Sequence, residues 1–476
     1  MEAKAASEAA PLLPAKAARD PHLDNAKWLC MMLFISGHIL GSLPRDSAYY
    51  VAYSAATWLH IPLFAMLAGA VSKRPPTVAR AIRVLQTLGL PLVFVVFVIN
   101  IVSIPVGYLA SHGVYGFFGV DGGDREYLKA VIAGARKPFR DPVGALLFFQ
   151  GPGAIWYLRC LLLWKLDPSD ALLSRAPALA KPALVAAVSC AALYAPSDCC
   201  SVWRSSVGYS GASANLGPFA CVRAALLWPF FYAGQKLDWR ALGGRYPTRP
   251  AGDLAPLVFY ATVVCAVAYR PLDWVLPSIG TDADAPFTSY VPLCAADAAV
   301  ARAAAGGRAL VWRDCGWGGL LLLPARYAGE LAFRGAGALA FFLCCVPRDR
   351  TWFTAAGGRT LYPYLLHDRT QFTYHLGVAL APIFTWGGID NRVPWANTMR
   401  TLGARQVLAL SAVVAGQMAL ATGVMLLFTC ASVRYVARPF IEPHPFILEA
   451  WARGRARASG RDDEPPWSAA AAVPLK

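Results

Sequence analysis

Four histidines, His38, His60, His367 and His375, sit in apolar stretches, where an ionisable side chain is costly, and two are on consecutive ones: His38 in KWLCMMLFISGHIL and His60 in TWLHIPLFAML. An imidazole titrates near neutral pH. It can take a proton from a hydroxyl, carry a transferred group, or hydrogen bond to a neighbouring helix. If both stretches cross a bilayer in opposite directions, a rise of about 1.5 Å per residue puts each imidazole about 18 Å from the same face of a hydrocarbon core about 30 Å thick. Lys27 precedes His38 by 11 residues, or three turns plus about 20°, so ammonium and imidazole share one helix face. That face offers a cation at the mouth and an imidazole about 16 Å deeper, which suits a phosphate-bearing ligand with a long flexible arm. In the alternative, Lys27 snorkels to headgroups and His38 is a packing hydrogen bonder. Asp24 is expected to N-cap this helix.

Other polar groups admit two readings. His367 with Asp368 and Arg369 makes a second polar cluster, while Arg326, Glu330 and Arg334 are spaced to neutralise one another on one helix face. Lys73, Arg74, Arg80 and Arg83 either grip phosphates or fix topology. Trp156, Trp164 and Trp228 lie near the ends of apolar stretches, as interfacial belt residues do.

The composition says what must position these groups. The 476 residues are 57% hydrophobic and 15% charged, with a net charge of +16, whereas soluble domains carry about 25% charged residues. Apolar stretches punctuated by Pro, Gly and charge fall near 26–43, 52–71, 86–110, 143–164, 182–195, 215–234, 253–269, 317–346, 360–386 and 406–433. The expected fold is all-α: a polytopic membrane helix bundle of about ten transmembrane helices over 26–433, in contact with the lipid bilayer. Residues 1–25 are expected as a disordered cytosolic tail, and 434–476 as a basic cytosolic tail. Within the first, Glu8 precedes Leu12-Leu13 by four residues, as in endomembrane sorting signals or a chance pair. The loops on the side of both termini hold most of the Lys and Arg, so both ends are expected in the cytosol, and the membrane is endomembrane or plasma membrane. This dispersal of positive charge argues against a nucleic-acid binder. Twelve cysteines without CxxC spacing exclude zinc ribbons and redox motifs. Cys199, Cys200, Cys294 and Cys315, on the opposite side, are free to pair in an oxidising compartment, with partners unassigned.

These residues match a family pattern. Asp24-Asn25-x-Lys27 followed by Phe34-Ile35-Ser36-Gly37-His38 resembles the opening of the acyltransferase-3 family of integral-membrane O-acyltransferases. Trp58-Leu59-His60-Ile61-Pro62-Leu63-Phe64, with Gly69 and Ser72-Lys73, is similar to its second-span block. Ile155-Trp156-Tyr157-Leu158 with Trp164-Lys165, and Arg223 with Trp228-Pro229-Phe230-Phe231-x-x-Gly234, resemble later blocks. So do Gly358-Arg359-Thr360-Leu361-Tyr362-x-Tyr364-Leu365-Leu366-His367 and Arg438-Pro439-x-Ile441-Glu442-Pro443. The blocks run in family order over roughly 24–443. Ala68 and Ala70 depart from it, standing where the family carries Ser and an aromatic residue. Lys27 stands where many members carry Arg, which keeps the charge but not the bidentate fork.

The resemblance implies transfer of an acyl group, usually acetyl from acetyl-CoA, to a hydroxyl of a carbohydrate or glycoconjugate, with acyl-CoA as co-substrate and no metal. A sugar hydroxyl is a poor nucleophile at neutral pH, so His38 would act as general base or acyl carrier. His60 would orient the acceptor or stabilise the thioester oxyanion. Lys27, Lys73 and Arg74 would hold CoA phosphates, and His367, Trp156 and Arg223 would line the acceptor cavity. A proton-coupled transporter is the first rival, although the paired half-repeats of such carriers are not visible. A non-catalytic member of the same fold is the second.

Overall fold

The structure, a computed structural model, describes residues 19–40, 59–72, 77–99, 155–173, 175–193, 219–239, 317–367 and 403–442, with positions 242, 258, 380, 382–383 and 386–387 between them. Their regular structure is helical, with no strand among the described residues. Besides a single turn at Ser169–Leu172, the described helices are α1 (Pro21–Leu40), α2 (His60–Ala70), α3 (from Val78), α4 (Ile155–Leu166), α5 (Ala180–Leu193), α6 (Phe219–Lys236), α7 (Trp317–Cys345), α8 (Thr354–Gly357), α9 (Leu361–Leu366), α10 (Ala404–Thr429) and α11 (Ala431–Ile441). In α3, α-turns at Val78–Val84 and Leu90–Phe94 alternate with π-turns at Leu85–Gly89 and Val95–Ile99. Pro91, with no amide to give the ladder, lies between the π-turns.

Among the described residues three helices are long and apolar enough to cross a bilayer: Val78–Phe97 in α3, Tyr327–Cys345 in α7, and Ala404–Thr429. They mark the chain as a membrane protein. Helices α2 and α5 are apolar but shorter. The expected stretch 253–269, and 360–386 from 368 onward, fall almost wholly outside the described residues.

Residues 21–25 and 434–441, expected within the two tails, are helical. Helix α1 starts at Pro21, and α11 runs to Ile441. The start of α1 also corrects the expected cap. Asp20 Oδ1 accepts the His22 N–H at 3.0 Å, and Pro21 opens the helix, where a missing amide costs nothing. Asp24 instead lies inside the helix and pairs with Lys27.

Helix α1 is buried or half-buried at each of its described side chains, packing against neighbours on more than one side. Ala26 and Cys30 join a core with α2, α4, α6 and α7. Trp28, Met31, Phe34, Ile35 and Ile39 join another with α10. Its N-terminal end is pinned by Asn25, which is fully buried and has its hydrogen-bonding capacity filled. Nδ2 donates to the Pro347 and Asp349 carbonyls, each at 2.8 Å, and Oδ1 accepts from Thr351 Oγ1 at 3.1 Å and Thr354 Oγ1 at 2.7 Å. Gly357 of α8 lies against the Asp24 carbonyl so closely that a Cβ would collide with it. Farther along, Gln417 of α10 donates to the Ser36 carbonyl at 2.7 Å.

Helices α2 and α6 meet through glycine. A Cβ at Gly69 would strike the Phe231 carbonyl, and one at Gly234 the Met66 carbonyl. Backbones this close give dispersion contact without side chains, as in small-residue packing between membrane helices. Three successive carbonyls of α6, each about 100° farther round the helix, accept from three neighbours. Trp164 Nε1 of α4 donates to Ala224 at 2.9 Å, Ser189 Oγ of α5 to Ala225 at 2.7 Å, and the Tyr327 hydroxyl of α7 to Leu226 at 2.6 Å. The middle bond has a clear cause: Pro229 lacks the amide that would have served the Ala225 carbonyl. Trp164, expected in the interfacial belt, is therefore a buried residue stacked 5.2 Å from Phe231.

Candidate functional site

A cavity of about 260 Å³ lies among α1, α2, α4 and the start of α9, with Leu88 of α3 on its wall. Helix α1 contributes Lys27, Met31 and Phe34, at i, i+4 and i+7 on one face. Helix α4 contributes Tyr157, Leu158, Leu161 and Lys165, again one face. From α2 come His60, Phe64, Leu67 and Ala68, and Thr360, Leu361 and Tyr364 complete the wall. Most of these groups are apolar, so the few polar ones have weight.

They separate into two ends. Phe34 organises the inner one: its ring centroid is 5.3 Å from that of His60, 5.1 Å from His367 and 5.8 Å from Tyr364. Tyr157 lies edge-on to Tyr364 at 6.1 Å, and the Tyr364 hydroxyl accepts the Leu158 N–H of the first turn of α4 at 3.3 Å. His60 is buried in the first turn of α2. His367 is fully buried, with Nδ1 at 2.8 Å from the Pro363 carbonyl and 3.0 Å from that of Tyr364. Carbonyls only accept, so Nδ1 carries the proton and Nε2 is the basic nitrogen.

The outer end is cationic. Lys27 Nζ is 3.0 Å from Asp24 Oδ1, and Arg19 Nε is 3.8 Å from Asp24 Oδ2. The charge of Lys27 is thus largely answered. Lys165, in the last turn of α4 just beyond the expected span, differs: among the described residues no carboxylate pairs with it. Burial, and then the nearby charges of Arg80 and Lys27, push its ammonium down to about 8. On α1, Phe34 follows Lys27 by seven residues; on α4, Lys165 follows Tyr157 by eight. The helices run antiparallel, so the cations and the aromatic–imidazole group are separated by about 10–12 Å of apolar wall.

Of the residues singled out from sequence, Lys27 and His60 come together on this wall. His367 is not among the residues lining this cavity; its ring packs against that of Phe34, which is. His38 lies on α1, 11 residues after Lys27, and its side chain is outside the described residues, as are those of Trp156 and Arg223. Lys73 and Arg74 lie wholly outside them. Sequence reasoning missed Lys165, Tyr157, Phe34 and Tyr364 as wall residues, although motif blocks contained all four. Their signal was helical spacing within each block. Ala68 is on the wall as well. No protein-family model, curated protein or solved structure matches the chain.

Proposed function

We propose that this chain is a membrane-embedded O-acyltransferase of the acyltransferase-3 kind, built as a bundle of about ten spans with both termini in the cytosol. It moves an acyl group, acetyl in the first instance, from acyl-CoA to a hydroxyl of a carbohydrate or glycoconjugate. One observation carries the reading: Lys27, Lys165 and His60 line a single, mainly apolar cavity, with the two cations near one another and the imidazole beside Phe34. Such a cavity suits a ligand with phosphates at one end and a reactive thioester at the other.

His38, by helical spacing on the Lys27 face of α1, removes the acceptor's proton. The oxygen attacks the thioester carbonyl, a C–O bond forms, and the C–S bond breaks. The CoA thiolate leaves and takes the proton from the imidazolium, so charge and atoms balance. As acyl carrier, the His38 imidazole would instead attack the thioester, a C–N bond forming as the C–S bond breaks and CoA thiolate leaves; the acceptor oxygen would then attack the acylimidazole, a C–O bond forming as the C–N bond breaks and the hydroxyl proton passing to the thiolate. His60, held in the first turn of α2, orients the acceptor or stabilises the developing oxyanion.

The test is incubation of membranes with labelled acetyl-CoA and candidate glycans. Label should enter glycan with wild type, and His38→Ala should lower the rate by roughly 100- to 10,000-fold while leaving folded protein in the membrane. A His38→Ala protein with normal transfer would sink this mechanism.

A further inference from the structure

We propose that Lys165 of α4, with Lys27 beside it, forms the subsite that holds the phosphate groups of a narrow amphiphile in this cavity, and that Lys165 sets its affinity. The choice of acyl-CoA as that amphiphile rests on the function proposed above; the subsite does not. Both lysines line the same cavity, but their surroundings differ. Lys27 has a carboxylate at 3.0 Å. Lys165 has none among the described residues and faces the charges of Lys27 and Arg80 instead. A partly buried cation with like charges for neighbours is destabilising unless an anion joins it. The wall between it and the inner end is apolar, through Met31, Leu161 and Leu67, so the fitting anion carries a slim apolar arm. A phosphate group on a long flexible arm occurs in coenzyme A, whose pantetheine has methylene segments between its two amides, and in an anionic lipid, whose acyl chains are apolar throughout.

The experiment uses the full chain in nanodiscs, with coenzyme A as one probe and phosphatidic acid doped into the disc as the other. Lys165→Met should weaken coenzyme A binding by roughly tenfold or more, the usual worth of a charge-assisted hydrogen bond. Lys27→Met should weaken it less, and Lys165→Arg should recover most of it. Lys165→Met should melt at or above the wild-type temperature without probe, because the charge removed was unanswered. If wild type ignores coenzyme A but holds phosphatidic acid through Lys165, the subsite stands and the acyltransferase reading falls. If coenzyme A binds equally to wild type and Lys165→Met, or more weakly to Lys27→Met than to Lys165→Met, the subsite falls and that reading survives. Binding of neither probe by wild type, or loss of binding together with a lowered melting temperature in Lys165→Met, also overturns the subsite.

Discussion

Asn25 and Thr354 stand 329 residues apart in sequence, yet the threonine hydroxyl donates to the asparagine amide oxygen at 2.7 Å. With the bonds to Pro347, Asp349 and Thr351, this makes Asn25 a four-bond clamp on the first turns of α1. Asn25→Asp removes both Nδ2 donors and sets a carboxylate against two carbonyls. It should destabilise the fold by about 2–4 kcal/mol, since buried polar groups lose their partners. Tryptophan fluorescence melts of purified protein would show it; an unchanged melt would mean that the clamp is energetically idle.

The two glycine contacts predict an asymmetry among glycines. Gly69→Ala and Gly234→Ala drive a methyl into backbone carbonyls that have no rotamer to escape through, and each should cost about 3 kcal/mol, the upper end of overpacking. Gly423→Ala, where nothing lies within 4 Å, should be neutral or stabilise α10 by about 0.5–1 kcal/mol. Monodispersity on size exclusion after a heating series separates the two classes.

Ser189 and Pro229 should couple. Ser189→Ala orphans the Ala225 carbonyl and should cost about 1–3 kcal/mol. In a Pro229→Ala background the new amide at 229 can serve that carbonyl, so the same substitution should cost markedly less. A double-mutant cycle on melting free energies measures the difference; additivity would refute the account.

Lys165 gives a pH limb. It titrates at about 8, below its ordinary 10.5, and a bound anion favours the protonated form. Affinity for coenzyme A should therefore be level below about pH 8 and weaken above it, toward a limit of tenfold per unit. In Lys165→Met the limb attributable to Lys165 should vanish. Without the anion the linkage reverses: the folded state binds fewer protons than the unfolded, so this group makes the fold more stable as pH rises from about 8 to 10.5. Binding and melting series across that range check both signs.

Ionisable residues inside apolar runs were legible because they are rare there, and this marked Lys27 and His60. Lys165 was hidden by its place at the end of a stretch, where a lysine reads as a topology signal. Asp24 was misread because a cap and an i,i+3 ion pair look alike near a helix start; only Asp20-Pro21, one turn earlier, separates them. The three helices long enough to cross a bilayer were legible because length and apolarity are local properties. Phe34, Tyr157 and Tyr364 were not singled out, since an aromatic in an apolar run is equally at home in a core, at an interface or on a cavity wall. Which aromatics converge depends on antiparallel helices meeting from distant parts of the chain.

The enclosure of α1 has a consequence for synthesis. Among the described helices it leaves the ribosome first, yet its clamp needs residues 347–354, and one whole side needs α10. During translation that side can meet only lipid, the translocon or a chaperone, and its contacts close after hundreds more residues have been added. Chains truncated before α10 should present an unfinished α1 to quality control, so the earliest of the described helices is among the last to be secured.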